Sequence, residues 1–287
     1  MRYRESLLKI CTFEAGGREV FGIIEEDKLV DVSSLGETFL DTLARGPRVD
    51  VPDLEACPRY PYRYESLRLP IRPAEIWGAG VTYLRSRDAR ETETKSKGVY
   101  DYLYSAVRPE VFIKGSGQRA VGPGEAISIR SDSHWTVPEP ELGVVLTRDC
   151  RILGYTIAND VSARDIEGEN PLYLTQSKIY RNSCSIGPVV VTKDEIPDPH
   201  GLKIALRIIR RGEIAFDGAT NTSRMKRTVD ELLSYLRKDN EFFGWIVFMT
   251  GTGVVPPDDF ALEEGDMVEI EIEKIGLLRN PVSKLRG

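Results

Sequence analysis

Trp135-Thr136-Val137-Pro138-Glu139-Pro140-Glu141-Leu142-Gly143-Val144-Val145-Leu146 sets two acids two residues apart at the mouth of an apolar strand. Side chains at i and i+2 of a strand share a face, so Glu139 and Glu141 project together while Leu142, Val144 and Leu146 project the other way. The next strand reads Ile152-Leu153-Gly154-Tyr155-Thr156-Ile157-Ala158-Asn159-Asp160, where Asp160 shares a face with the small residues Ala158, Thr156 and Gly154. A hairpin closed by Arg148-Asp149-Cys150-Arg151 and centred between Asp149 and Cys150 places Glu139 opposite Asp160 and Glu141 on the diagonal, with Cβ separations of about 5 and 7 Å. Three carboxylates then reach one point. Their repulsion raises pKa values or drives them apart unless a cation neutralises them. An all-oxygen set selects a hard ion, Mg²⁺, Mn²⁺ or Ca²⁺, over zinc. An isolated Glu-x-Glu reads as solvated strand-end acids; Asp160 in register is what turns that reading into a metal site.

The chain has 287 residues, 41% hydrophobic, enough for one large core or one core with a small appended domain. Its net charge of -6 argues against a general binder of nucleic acid or anionic membrane and leaves a small molecule as the expected partner. The charged start, Met1-Arg2-Tyr3-Arg4-Glu5-Ser6, is not that of a secretory signal, and no apolar run approaches the roughly 20 residues of a membrane span. Cys11, Cys57, Cys150 and Cys184 lack paired spacing, as suits free thiols in a cytoplasm. With only His134 and His200 present, a histidine-rich metal centre is excluded. His134 lies near the acids in sequence; His200 reads as a loop residue.

Short strands with turns run from Leu7 to about Val32, and a proline-studded stretch follows from Pro47 to Pro73. The expected division is therefore a small N-terminal β domain and linker over 1–70 and a catalytic domain over 71–287. Strands dominate beyond Pro70, including Pro188–Val191, Lys203–Ile209 and the strictly alternating Met267–Glu273. The fold class is α+β, predominantly β. Met225, Val229, Leu232, Leu233 and Leu236 predict one clear helix over Thr222–Lys238.

Ser162, three residues before Asp165, resembles a capping box opening a short helix that Gly168 and Pro171 should end. Arg164 can hold a ligating carboxylate or form a surface ion pair. Lys178, in Gln176-Ser177-Lys178-Ile179-Tyr180, has neutral chain neighbours, the setting in which a lysine pKa falls far enough for general-base work; alone, it reads as a surface lysine. Thr250-Gly251-Thr252-Gly253 reads as a turn after the strand Trp245–Met249, able to offer amides and hydroxyls to a ligand carboxylate. Neither it nor Gly78-Ala79-Gly80 completes a nucleotide fingerprint, so no nucleotide cofactor is expected.

Taken in order, Gly78–Tyr83, Phe112-Ile113-Lys114, Pro138–Leu142, Gly154–Asp165, Gly187-Pro188, Thr192–Glu195, Thr250-Gly251-Thr252 and Gly276–Pro281 resemble the fumarylacetoacetate hydrolase family over roughly residues 72 to 282. The resemblance implies a mixed β-sandwich roll, Mg²⁺ held by Glu139, Glu141 and Asp160, and 2-oxo-acid or 1,3-dicarbonyl substrates chelated to it. It also implies Arg164 and Asp165 behind the ligands, and Arg85, Ser86, Lys114 and Gly251 as substrate contacts. Family hydrolases carry a His and then a Glu on a short lid helix, a dyad that activates water. Here those positions hold Ser86 and Ala89.

By contrast, Val107–Phe112, Arg130–Ser133, Glu169–Leu174 and Gln176–Tyr180 resemble the dehydratase branch of the family, acting on 2-keto-3-deoxy-D-arabinonate. That branch implies an enolate stabilised by Mg²⁺, removal of a C3 proton by Lys178, loss of the C4 hydroxyl, and 2,5-dioxopentanoate as product. Thr252 and the Gly251 amide would orient the carboxylate or polarise the leaving group. A homodimer or homotetramer is expected. The alternatives are an acylpyruvate or diketone hydrolase, a related 2-oxo-acid isomerase or decarboxylase, and an inactive homologue that binds a metabolite.

Overall fold

The β-branched runs separated by glycine and proline fold as strands throughout a computed structural model that describes residues 8–36, 39–40, 54–95 and 97–287. In the N-terminal part, β1 (Lys9–Ala15) and β2 (Arg18–Glu25) join through Gly16-Gly17, both at positive φ as a two-residue hairpin turn requires. β3 (Lys28–Asp31) and β4 (Arg59–Pro61) extend this ribbon. Next come β5 (Leu67–Arg68), β6 (Glu75–Gly80), β7 (Glu110–Gly115), β8 (Ala120–Val121), β9 (Ile127–Ile129) and β10 (Thr136–Val137). β11 (Pro140–Leu146), β12 (Ile152–Asp160), β13 (Ser162–Ala163) and β14 (Cys184–Thr192) follow. The chain ends with β15 (Lys203–Arg210), β16 (Glu213–Asn221), β17 (Ile246–Thr252), β18 (Met267–Ile272) and β19 (Gly276–Lys284).

One large sheet has the order β4-β3-β2-β1-β14-β12-β11-β17-β6-β7, and a second runs β16-β15-β18-β19-β9. Leu142, Val144 and Leu146 point from the large sheet into a core shared with Ile204, Leu206, Ile208, Val268, Ile270 and Ile272 of the smaller one. Each such side chain, fully buried, contributes about 1.5–3 kcal/mol before entropy is counted. Val145, Ala158, Val190 and Val247 point the other way, into a second core with Ile10, Ile23 and Val30. The boundary expected near Pro70 therefore does not separate two cores. β1 pairs with β14 through Lys9↔Val191 and Ile10↔Val190, so the N-terminal ribbon is an extension of the sheet that carries the site.

The β11–β12 register places Pro140 opposite Asn159 and Glu141 opposite Ala158, as the sequence predicts, but by a different route. The loop is Arg148-Asp149-Cys150, with Thr147 N–H bonded to Arg151 and Cys150 at positive φ. A bulge after Val145 inserts the residue that restores the register.

The helices around the site and the core are α1 (Leu84–Glu93), α2 (Val99–Ser105), α3 (Arg164–Glu169), α4 (Leu174–Lys178) and α5 (Val229–Arg237). The helix predicted over Thr222–Lys238 is thus shorter. Thr228 accepts a hydrogen bond from the Glu231 amide and starts α5 there, while Asn221 caps a separate 3-10 turn at Thr222–Arg224. Ser162 caps nothing: it lies in β13, its hydroxyl bonded to the Asp160 carbonyl. α3 does end before Pro171, where Asn170 caps the next turn. No helix among the described residues is long and apolar enough to cross a membrane.

Candidate active site

The ends of β11 and β12 bring Glu139, Glu141 and Asp160 together, all buried, with a carboxylate oxygen from each lying within 4.8 Å of the others. Asp160 N–H donates to the Glu139 carbonyl at 2.9 Å, and the Asn159 amide oxygen accepts the Glu139 N–H at 3.0 Å. The backbone register fixes where two of the acids emerge. Glu141 is placed by β17. A register shift between Glu141 and Gly143 against β17 leaves one extra residue near Gly251, whose φ of +92° turns its N–H onto Glu141 Oε2. A Cβ there would meet Thr82 Oγ1 at 2.0 Å, so the position requires glycine. The segment read as a turn after a strand is accordingly the bulged end of β17 itself, with Thr252 on the cavity wall and its hydroxyl bonded to the Val254 carbonyl.

Cations surround the acids unevenly. Glu139 Oε1 accepts from Arg90 Nη2 at 2.6 Å and Arg164 Nε at 3.0 Å, and Oε2 accepts from Lys178 Nζ at 3.0 Å. Burial opposes its charge, but Arg90, Lys178 and Arg164 outweigh that and hold Glu139 well below the carboxylate range. Glu141 meets no such ring: burial, then the charges of Asp160 and Glu139, push it well above the ordinary range. The residual repulsion and the hard-oxygen donor set fit a divalent cation, with Glu139, Glu141 and Asp160 as its holders.

Lys178 Nζ stands 2.9 Å from Asp160 Oδ2 and bonds the Ser162 hydroxyl at 2.5 Å. The expected fall in its pKa is corrected by this geometry. Burial does lower it, but Asp160, Glu139 and Glu167 together raise it above its ordinary value. Its chain neighbours are neutral; its neighbours in space are acids. Lys114, expected to touch substrate, lies behind the acids instead and off the cavity wall. Its ammonium is 2.6 Å from Asp160 Oδ1 and 2.9 Å from the Val161 carbonyl, so it holds the Asp160 side chain in place. Arg164 lies against Glu139 and reaches Glu93 at 2.5 Å. Asp165 does not join the acids: it accepts from the Ser133 hydroxyl and the His134 N–H, holding the loop before β10. The His134 side chain is 87% exposed and takes no part in the site.

Over the acids lie α1 and α2. α1 buries Ser86, Ala89 and Arg90 on its inner face, while Arg85, read from sequence as a substrate contact, is exposed. A narrow, partly open cleft lies between them and the acids. Ser86, Arg90, Tyr100, Glu110 and Glu167 line its lid side. Of these, sequence reading found Ser86 alone. The period of α1 held the signal for Arg90, which sits four residues after Ser86 on the same face. Glu110 and Glu167 carried no local signal, since each is an isolated acid brought in by the fold. Burial, then Glu167, raises Glu110 above the ordinary carboxylate range.

Residues 75–283 match the model of the fumarylacetoacetate (FAA) hydrolase C-terminal domain. The chain is 50% identical over 221 residues to 2-dehydro-3-deoxy-D-arabinonate dehydratase of Saccharolobus solfataricus, covering 76% of this chain and 74% of that one. It is 49% identical over 257 residues to a probable 2-keto-3-deoxyxylonate dehydratase of Haloferax volcanii, covering 89% and 86%. A solved 2-keto-3-deoxy-D-arabinonate dehydratase, complexed with magnesium and 2,5-dioxopentanoate, superposes with a TM-score of 0.83 at 40% identity, covering 97% of this chain and 100% of that one. A family match over most of its length, together with relatives at this identity, means that the chain belongs to the fumarylacetoacetate hydrolase family.

Proposed function

We propose that the protein is a Mg²⁺-dependent dehydratase of a 2-keto-3-deoxy sugar acid, converting 2-keto-3-deoxy-D-arabinonate to 2,5-dioxopentanoate and water. The observation that carries this reading is the convergence of Glu139, Glu141 and Asp160 beside Lys178, under a lid whose inner face presents Ser86 and Ala89 and no water-activating base. The named activities of the relatives and the ligands of the solved dehydratase support it. A divalent cation held by the three acids supplies Lewis-acid polarisation of a 2-keto acid's C1 and C2 oxygens, and its charge opposes the proton on Lys178.

Lys178 is the group placed to accept the C3 proton, its amine held toward the cavity by Ser162 and by a Phe112 ring 5.7 Å away. Glu110, whose carboxyl burial shifts toward its protonated form, is the acid we assign to give its proton to the C4 hydroxyl as that group leaves as water. Loss of a C5 proton and reketonisation then yield the aldehyde, so one water leaves per turnover and no water is consumed. The Gly251 amide fixes Glu141, and Thr252 borders the same end of the cavity.

With Mg²⁺ present, 2-keto-3-deoxypentonates should be converted to an aldehyde, read by coupling to an aldehyde dehydrogenase, while acylpyruvates bind and inhibit with slow or no cleavage. Efficient acylpyruvate cleavage with no action on keto-deoxy acids would overturn the dehydratase in favour of a hydrolase; no turnover of either would leave a metabolite-binding homologue. A cytoplasmic location and a homodimer or homotetramer complete the reading. Four free cysteines support the first. Exposed Leu172 and Val107 support the second, which light scattering tests.

A further inference from the structure

On the lid side of the carboxylate triad, the cavity has a second polar pole whose donors are not all used. Arg90 is the long side chain of the inner face of α1, because its neighbours there, Ser86 and Ala89, are small. Its side chain is 8% exposed and lines the cavity. Nη2 is committed to Glu139 at 2.6 Å, and Nη1 forms an ion pair with Glu167. Nε–H has no acceptor among the described residues. A buried donor left without an acceptor costs free energy of the order of a lost hydrogen bond, so on a side chain that lines the cavity it is a candidate partner for a ligand oxygen.

We infer that Arg90 is a substrate-recognition residue, donating from its guanidinium to an oxygen of the substrate beyond C3. The inference rests on the proposed function, in which C1 and C2 lie at the triad and the hydroxyl-bearing carbons extend toward α1. Two ion pairs hold the guanidinium plane, so the donor is oriented before substrate arrives and little side-chain entropy is lost on binding. Arg90 thereby selects for length and oxygen content at the far end of a 2-keto acid, and it leaves recognition of the keto acid group itself to the triad.

The test compares two inhibitors of keto-deoxypentonate turnover in the full-length, metal-loaded enzyme: pyruvate, which fills only the triad end, and 2,5-dioxopentanoate, which also reaches the lid. In Arg90→Gln, the inhibition constant of 2,5-dioxopentanoate and the KM of the substrate should rise about tenfold or more, with that of pyruvate within about twofold of wild type. Arg90→Lys keeps the charge beside Glu139 but loses the planar fork. It should show the same split with wild-type Mn²⁺ affinity by calorimetry, and it covers the case in which the Gln variant does not fold. Equal weakening of both inhibitors, or loss of Mn²⁺ binding in the Lys variant, would mean that Arg90 acts only through Glu139 and would overturn the inference. Unchanged constants for both inhibitors would do so as well. Failure of the functional reading is separate: the wild-type enzyme itself would then dehydrate no keto-deoxy acid.

Discussion

Every residue of β11 from Pro140 to Leu146 is buried, whereas α1 buries only Ser86, Ala89 and Arg90 of its ten residues. The floor of the cavity is held by apolar packing on one face and by ladder hydrogen bonds to β12 and β17 on both edges. The lid has almost no apolar face to bury. What fastens α1 to the body is a set of buried ion pairs, Arg90 to Glu139 and Glu167, and Glu93 to Arg164, with the Lys95 amide bonded to the Gly168 carbonyl. Floor and lid meet at Glu139, which is a candidate metal holder from below and an anchor for two guanidiniums from above. Packing fixes the floor irrespective of charge, while the lid's seat depends on charges staying paired.

The largest effect should follow from breaking the floor's chemistry without changing its shape. Asp160→Asn is isosteric but removes the negative partner of Lys114 and Lys178, both buried. Uncompensated buried charges of this kind cost about 3–5 kcal/mol, so the melting temperature should drop. Divalent-cation binding by calorimetry should vanish and turnover should fall about a thousandfold or more. Retained Mn²⁺ affinity would remove Asp160 from the metal site.

This floor was readable because β structure encodes it locally. The period of two put Glu139 and Glu141 on one face, and a single hairpin assumption put Asp160 opposite. The lid was not readable in the same way. Arg90 and Glu93 are far along the chain from their partners Glu139, Glu167 and Arg164, and nothing around Glu110 or Glu167 distinguishes it from a surface acid until the fold buries it. Lys178 shows the limit most directly. Its chain neighbours predict a lowered pKa, but the acids that set it arrive from β11 and β12.

A second expected effect lies on the lid side and is smaller. Glu110→Gln removes the proposed acid and should lower kcat about hundredfold, within the usual range for general acid catalysis. It also carries a stability signature. Burial raises Glu110 above its ordinary value of 4.5 in the fold, so the native state keeps a proton that the unfolded chain releases. The contribution is full below that value and is lost as pH rises through the folded pKa. Urea melts from pH 4.5 upward should therefore show the variant gaining on the wild type; a pH-independent difference would place Glu110 in contact with solvent.

Loosening the lid at a point outside the cavity wall should cost less again. Glu93→Gln leaves Arg164 beside Glu139 but removes its charged partner on α1. Hydrogen exchange of the α1 amides should quicken and kcat/KM should fall about tenfold, with the melting temperature nearly unchanged because the floor carries the global stability. Equal protection of α1 in variant and wild type would show that α2, tied to α1 by the Arg87–Asp101 pair, holds the lid without Arg164.

The smallest effect separates two arginines on one helix. Arg85 and Arg90 are five residues apart, so they point to different sides of α1, and only Arg90 is buried. An exposed side chain with no place on the cavity wall can act on an anionic substrate only through long-range attraction, which salt at physiological strength screens beyond about 8 Å. Arg85→Ala should therefore leave kcat unchanged and alter kcat/KM by no more than about twofold, the difference shrinking as salt is added. A tenfold loss that persists at high salt would mean that α1 rotates on closing to bring Arg85 inward. The lid would then have two seats, and its charge-paired attachment would be a moving part that the packed floor is not.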